Sequence, residues 1–424
     1  MRESFKLAWR AFLRGGVVAS LAVATFITYK LMPIIVRTDG TEQGATEMFV
    51  RAVTGGVYVF LAISILCAAA GFFAQERSGN RLALSVVRPA SSFSVVLGIW
   101  GAFLAISLGV LALSGALTVF SFRANNPGIC HHHIQPILPP PEYAASKILD
   151  QFLKDPKTPE EIKKAPRATV LSFLASKEAD RYEAIRKGGV LSWNFDSSVC
   201  ERESLSVRIR FSTAMELRAA VEGKFEMGQW SASITNNTQS IIDVPLLLNK
   251  SQKQKKTEGN KCELKFTNVG KETIMVRPRK DIEILIPADG FTMNLLRSSL
   301  VQFSIIALIA AFGLFLSSGL SRPVATFTAL VAAAVIAMSP SVIDQYPNEF
   351  ETNFADRFGL AVSRVVQKTT YWIESPDPIG DLAQNKCVEW EEVAQTAAAS
   401  AGFSLVLLAL ASFVLRRKPF ADRS

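Results

Sequence analysis

Six apolar runs limit what this chain can fold into, because each is about as long as the 20 residues a helix needs to cross a bilayer. They extend from about Gly15 to Val36, Ala52 to Phe73, Ser94 to Phe120, Leu300 to Ser318, Pro323 to Met338 and Ala397 to Leu415. Lys30 lies inside the first run, with Pro33 close behind, and reads as a side chain that snorkels to the headgroups. That run is too long for a cleaved signal peptide, and no small-x-small site follows it cleanly. With 49% hydrophobic and 20% charged residues, the chain is neither disordered nor a purely soluble enzyme. The net charge of +9 does not require nucleic acid, because membrane proteins collect basic residues at the cytoplasmic ends of their helices.

Lysine and arginine in short loops set the orientation. Arg2, Lys6, Arg10 and Arg14 precede the first run. Arg77, Arg81 and Arg88 lie between the second and third, Arg322 between the fourth and fifth, and Arg416, Arg417 and Lys418 after the sixth. With six spans all four groups fall on one side, so that side is cytoplasmic and both termini are inside. Residues 123–297 and 341–392 are then outside. The basic N-terminal stripe, backed by Leu7, Trp9, Phe12 and Leu13, suits a helix in the inner headgroup layer. A second amphipathic helix is expected outside, at about 353–373, with Phe354, Phe358, Ala361, Val362, Val365 and Trp372 on its apolar face.

The outer insert is long enough for its own core. After Pro139, Pro140 and Pro141, Thr158, Pro159 and Glu161 signal a helix start. A second helix carries Leu171, Leu174, Tyr182 and Ile185 and stops at Gly188 and Gly189. The period then changes to two, in runs through Trp193 and Phe195, Val207 and Ile209, Trp230 and Ile234, Cys262 and Leu264, and Ile282 and Ile284. Such alternation predicts an antiparallel β-sandwich. The expected architecture is an α-helical membrane protein with six transmembrane helices and an inserted α+β extracytoplasmic domain containing that sandwich. The divisions are 1–121, 122–296 and 297–424, with a cytoplasmic loop over 74–92.

Signatures of chemistry are sparse. The sequence contains no Walker A loop, no Gly-x-Ser-x-Gly elbow and no His-Glu-x-x-His, so catalytic, cofactor-binding and metal-binding residues are not assigned. Cys130-His131-His132-His133 is metal-like in composition, but adjacent loop histidines cannot all face one ion, and a solvated stretch at the membrane exit is expected. Cys67 lies within a span. Cys130, Cys200, Cys262 and Cys387 fall outside and allow three pairings. Position favours Cys200 with Cys262, both in the sheet region, and Cys130 with Cys387, both near membrane ends; four free thiols are the alternative.

The loop from Glu76 to Ser92 contains Arg77, Gly79, Arg81, Leu84, Arg88 and Pro89, and Gly98 follows in the next run. It resembles the coupling loop of type 2 ABC transporter permeases, whose glutamate, glycine, leucine, proline and glycine match Glu76, Gly79, Leu84, Pro89 and Gly98. Asn80, Ser92 and Ile99 depart from that pattern, where the family often has threonine, arginine and lysine. The resemblance covers both membrane halves, including Ser321 to Ala325 and Pro376 to Trp390, but not the insert. It implies a permease subunit in a bacterial cytoplasmic membrane, paired with a second copy or homologue. It also implies a separate ATPase subunit that holds the ATP, and export rather than import. Glu76, Arg77, Gly79, Arg81, Arg88 and Pro89 would meet that ATPase. The rival reading is a membrane-anchored binding or assembly protein that acts through its outer domain.

Overall fold

The computed structural model describes residues 2–14, 17–35, 42–78, 91–123, 129–156, 158–164, 166–202, 204–213, 220–237, 241–248, 261–345, 358–359, 361–368 and 377–417. The described helices before the insert are α1 (Arg2–Arg14), α2 (Val17–Ile35), α3 (Glu42–Ser78) and α4 (Ser92–Arg123). Those after it are α9 (Phe291–Gly319), α10 (Arg322–Gln345), α11 (Pro378–Ala383) and α12 (Trp390–Arg417). Among the described residues, four helices are long and apolar enough to cross a membrane: α3, α4, α9 and α12. The apolar stretches of α2 and α10, Ala19–Leu31 and Arg322–Met338, are shorter.

α9 is the packing centre, in contact with α3, α4, α10 and α12. A Cβ at Gly313 would stand 2.7 Å from the Ala69 Cβ, so glycine there lets α9 and α3 approach closely. Trp100 on α4 donates to the Ala307 carbonyl of α9 at 2.9 Å. The Tyr29 hydroxyl of α2 donates to the Ser114 carbonyl of α4 at 2.7 Å. α1 buries Ala8 and Phe12, with Phe12 edge-on to Phe103 at 4.6 Å, while Arg2, Lys6 and Arg10 stay exposed. Lys30 is exposed, with its ammonium 5.9 Å from the Phe26 ring.

The insert contains α5 (Pro141–Lys154), α6 (Glu160–Lys164), α7 (Arg167–Ala179), α8 (Ser197–Cys200) and eleven described strands. The strands are β1 (Ile129–Ile134), β2 (Glu183–Ile185), β3 (Val190–Asp196), β4 (Leu205–Arg210), β5 (Ser212–Thr213) and β6 (Ala220–Met227). They continue with β7 (Trp230–Asn237), β8 (Ile241–Leu248), β9 (Lys261–Asn268), β10 (Ile274–Val276) and β11 (Ile282–Gly290). A packed pair of similar sheets is not what forms. Eight strands make one antiparallel sheet, in the order β1-β11-β4-β8-β7-β6-β9-β3, shaped as half a barrel. A separate three-stranded sheet has the order β2-β10-β5. Alternation marks each strand's buried face but says nothing of which strands are neighbours, so one curled sheet and two stacked sheets read alike. The core holds Trp193, Phe195, Phe225 and Phe266. Gly228, at φ +57°, makes the tight turn that pairs Met227 with Trp230.

Two local expectations change. The second insert helix ends at Ala179, and Tyr182 and Ile185 are not part of it. Glu183–Ile185 is β2, because pairing with Ile274–Val276 satisfies its backbone and buries Ile185. The Thr158 hydroxyl donates back to the Phe152 carbonyl at 2.7 Å. The boundary expected at 297 falls inside α9, which begins at Phe291 directly after β11. Of the expected amphipathic helix over 353–373, residues 358–359 and 361–368 are described and are helical, with Phe358, Val362 and Val365 exposed. Phe354 and Trp372 lie outside the described residues.

Candidate functional site

Strand β11 passes into α9 at Gly290 without a linker, so one continuous element joins the sheet to the packing centre of the helices. Residues 377–389, which lead into α12, fold across this joint. The Asp377 carboxylate caps α11 by accepting from the Gly380 N–H at 2.9 Å. After α11 the backbone turns at Asn385, whose φ is +56°. Asparagine is among the residues that tolerate this region.

Side chains from the first turns of α9 satisfy the backbone of that segment. Asn294 is fully buried; its Nδ2 donates to the Lys386 carbonyl at 2.7 Å and its Oδ1 accepts from the Val388 N–H at 2.8 Å. Ser298 donates to the Pro378 carbonyl at 2.7 Å. Arg297 donates to the Val388 carbonyl at 3.2 Å and to Cys387 Sγ at 3.0 Å, and pairs with the Asp289 carboxylate. Its guanidinium stands 5.1 Å from the Trp390 ring. Arg297 is 7% exposed, a costly position for a cation that these partners offset.

The sheet holds the other side. The His131 N–H donates to the Asn385 carbonyl at 2.7 Å, and the Cys387 N–H to the His131 carbonyl at 2.8 Å. Arg208 on β4 makes a two-pronged pair with Asp243 on β8, both bonds 2.7 Å, and also donates to the Gln384 carbonyl at 2.7 Å. His133 meets Glu283 at 2.7 Å. Burial raises the Glu283 carboxyl, but the His133 bond and the nearby His133, Arg208 and Lys386 charges bring it below its ordinary value. Burial holds His131 below its ordinary value. Burial lowers Lys386, yet its 3.1 Å pair with Asp381 leaves it raised.

The cysteine–histidine run is therefore not a solvated loop. It is β1, in register with β11, with Cys130 beside a bulge and fully buried. The pairing partner β11 lies more than 150 residues downstream, out of reach of a local reading. Among the described residues, no three His, Cys, Asp or Glu side chains are placed to hold a metal ion. Cys200 and Cys262 are disulfide-bonded, with Cα atoms 6.0 Å apart. Cys130 and Cys387 carry free thiols in this structure.

The described residues of the loop between α3 and α4 are not part of this arrangement. Arg77 falls in the last turn of α3, and Gly79, Arg81, Arg88 and Pro89 lie outside the described residues. Glu76 is 5% exposed, so it is turned into the chain and does not offer its charge to the surface. Sequence reasoning missed Asn294, Arg297, Ser298 and Arg208. Three polar residues at helical spacing where a strand pattern becomes a membrane helix were the available signal. No protein-family model and no curated protein matches the chain.

Proposed function

We propose that the chain is the membrane subunit of an ATP-binding-cassette transporter, driven by a separate ATPase on its inner face. In this reading α2 and α10 complete six spans around α3, α4, α9 and α12. Arg2, Lys6, Arg10, Arg322, Arg416 and Arg417 then face the cytoplasm with both termini, and the sheet domain is outside. A second copy would complete the pathway, and export is the favoured direction. The loop joining α3 to α4 would receive the ATPase, through the match at Glu76, Gly79, Leu84, Pro89 and Gly98.

The observation that supports this most is the linker-free passage of β11 into α9. A shift of the inner helix ends would reach the outer sheet through α9 and through the 377–389 segment bonded to it. Anchoring alone would not require such a joint. The second reading, an anchored binding or assembly protein, draws its support from the size of the sheet and its own buried core.

Reconstitution with the cognate ATPase separates the two. The wild-type chain is expected to retain the ATPase in pull-down and to support its hydrolysis. Arg81→Glu is expected to insert with an intact outer domain but to lose both properties. Failure of the wild-type chain to retain any ATPase favours the anchored reading. Wild-type behaviour of Arg81→Glu removes this loop as the coupling element.

A further inference from the structure

Cys130 and Cys387 come together where β1, the β11–α9 joint and the lead into α12 converge. Cys130 Sγ donates to the Asp289 carbonyl at 3.0 Å. Cys387 Sγ accepts from Arg297 at 3.0 Å, and Arg297 in turn pairs with the Asp289 carboxylate. Both cysteines are buried. The two bonds between His131 and the backbone of Asn385 and Cys387 hold the strands carrying them side by side. The same domain already contains the Cys200–Cys262 disulfide, a bond expected in an oxidising compartment.

We propose that Cys130 and Cys387 form a second disulfide, which clasps β1 to the segment leading into α12. It is made by exchange with a protein or small-molecule disulfide in the compartment that holds the sheet domain. This rests on the outside placement of that domain proposed above.

One of the two cysteines, as its thiolate, attacks one sulfur of the donor disulfide and releases the other as a thiolate, leaving a mixed disulfide. The second then loses its proton, attacks the sulfur of the first and expels the remaining donor sulfur. Two electrons pass to the donor, and the two protons end on its thiols. Exchange takes place before residues 377–389 close over the joint. Burial then shelters the finished bond from reductant, so it acts as a permanent clasp and not as a reversible switch.

The test maps thiols in the full-length chain, acid-trapped in its native membrane, alkylated under denaturing conditions and digested without reductant. The expected result is a Cys130 peptide joined to a Cys387 peptide, Cys200 joined to Cys262, and Cys67 alkylated. In Cys387→Ser, alkylation of Cys130 is expected to rise about tenfold or more while the Cys200–Cys262 bridge persists. Alkylation of Cys130 and Cys387 beside an intact Cys200–Cys262 bridge overturns the clasp and leaves the topology standing. Alkylation of all five cysteines overturns the outside placement and the clasp with it.

Discussion

Asn294 and Val388 are joined by a hydrogen bond of 2.8 Å from the Val388 N–H to the Asn294 side-chain oxygen, at a fully buried position 94 residues away in sequence. The same amide donates to the Lys386 carbonyl, so one side chain completes two backbone groups that no strand or helix satisfies. The approach to α12 is thereby fixed to the N-terminal end of α9.

Replacing Asn294 with alanine leaves both backbone groups buried and unpaired. The expected cost is about 2–6 kcal/mol, at about 1–3 for each orphaned group. Thermal unfolding in detergent should show it, and limited proteolysis should find new cleavage within 377–389. Asn294→Asp keeps the acceptor but sets a buried carboxylate oxygen against the Lys386 carbonyl, so its loss should be at least as large. Equal stability of Asn294→Ala and wild type would mean that the segment is held by other contacts.

The Arg208–Asp243 pair predicts a non-additive response. Asp243→Ala leaves a buried guanidinium without its carboxylate and should cost about 3 kcal/mol. Arg208→Met in the same chain removes the stranded charge and should restore part of the loss. A double-mutant cycle on denaturant unfolding of the full chain measures the coupling, and additive losses would contradict it.

Acidification should destabilise the joint. His131 titrates lower when folded than its ordinary 6.5, so the unfolded chain binds the extra proton first. Its stabilising contribution is complete above about pH 6.5 and declines as pH falls toward its folded value. Glu283, held below its ordinary 4.5, adds stability that is complete above about 4.5 and is lost on further acidification. Melting temperature against pH should therefore fall in two stages. His131→Gln should remove the upper stage, and Glu283→Gln the lower.

Gly313 tests helix packing. A valine there must displace α3, since even a Cβ would stand 2.7 Å from the Ala69 Cβ and 3.0 Å from the Ala70 nitrogen. The expected loss is about 1–3 kcal/mol, read as lower thermal stability in detergent, with the eight-stranded sheet still folded. Gly109, which has nothing within 4 Å of such a Cβ, should accept alanine with little change.

Topology can be read by labelling whole cells with an impermeant thiol reagent, in a Cys67→Ala background. Asp150→Cys on the exposed face of α5 should label, and Ser78→Cys at the end of α3 should not. Equal labelling of both would defeat the placement of the sheet domain outside.

Local patterns carried much of this fold in the sequence. Apolar length marks α3, α4, α9 and α12, because a helix satisfies its own backbone and needs no partner to declare itself. Period-two alternation marks β3, β4, β7, β9 and β11, because each strand carries its buried face in its own residues. Tertiary structure decided how those strands are ordered, since half a barrel and a sandwich share the same alternation. It also turned Cys130 to His133 from an apparent loop into a strand, because β11 supplies the partner from far along the chain. The joint itself was the least visible part. Arg208 meets Gln384 across 176 residues and Asn294 meets Lys386 across 92, and a polar side chain that completes a distant backbone leaves no periodic trace in the sequence around it.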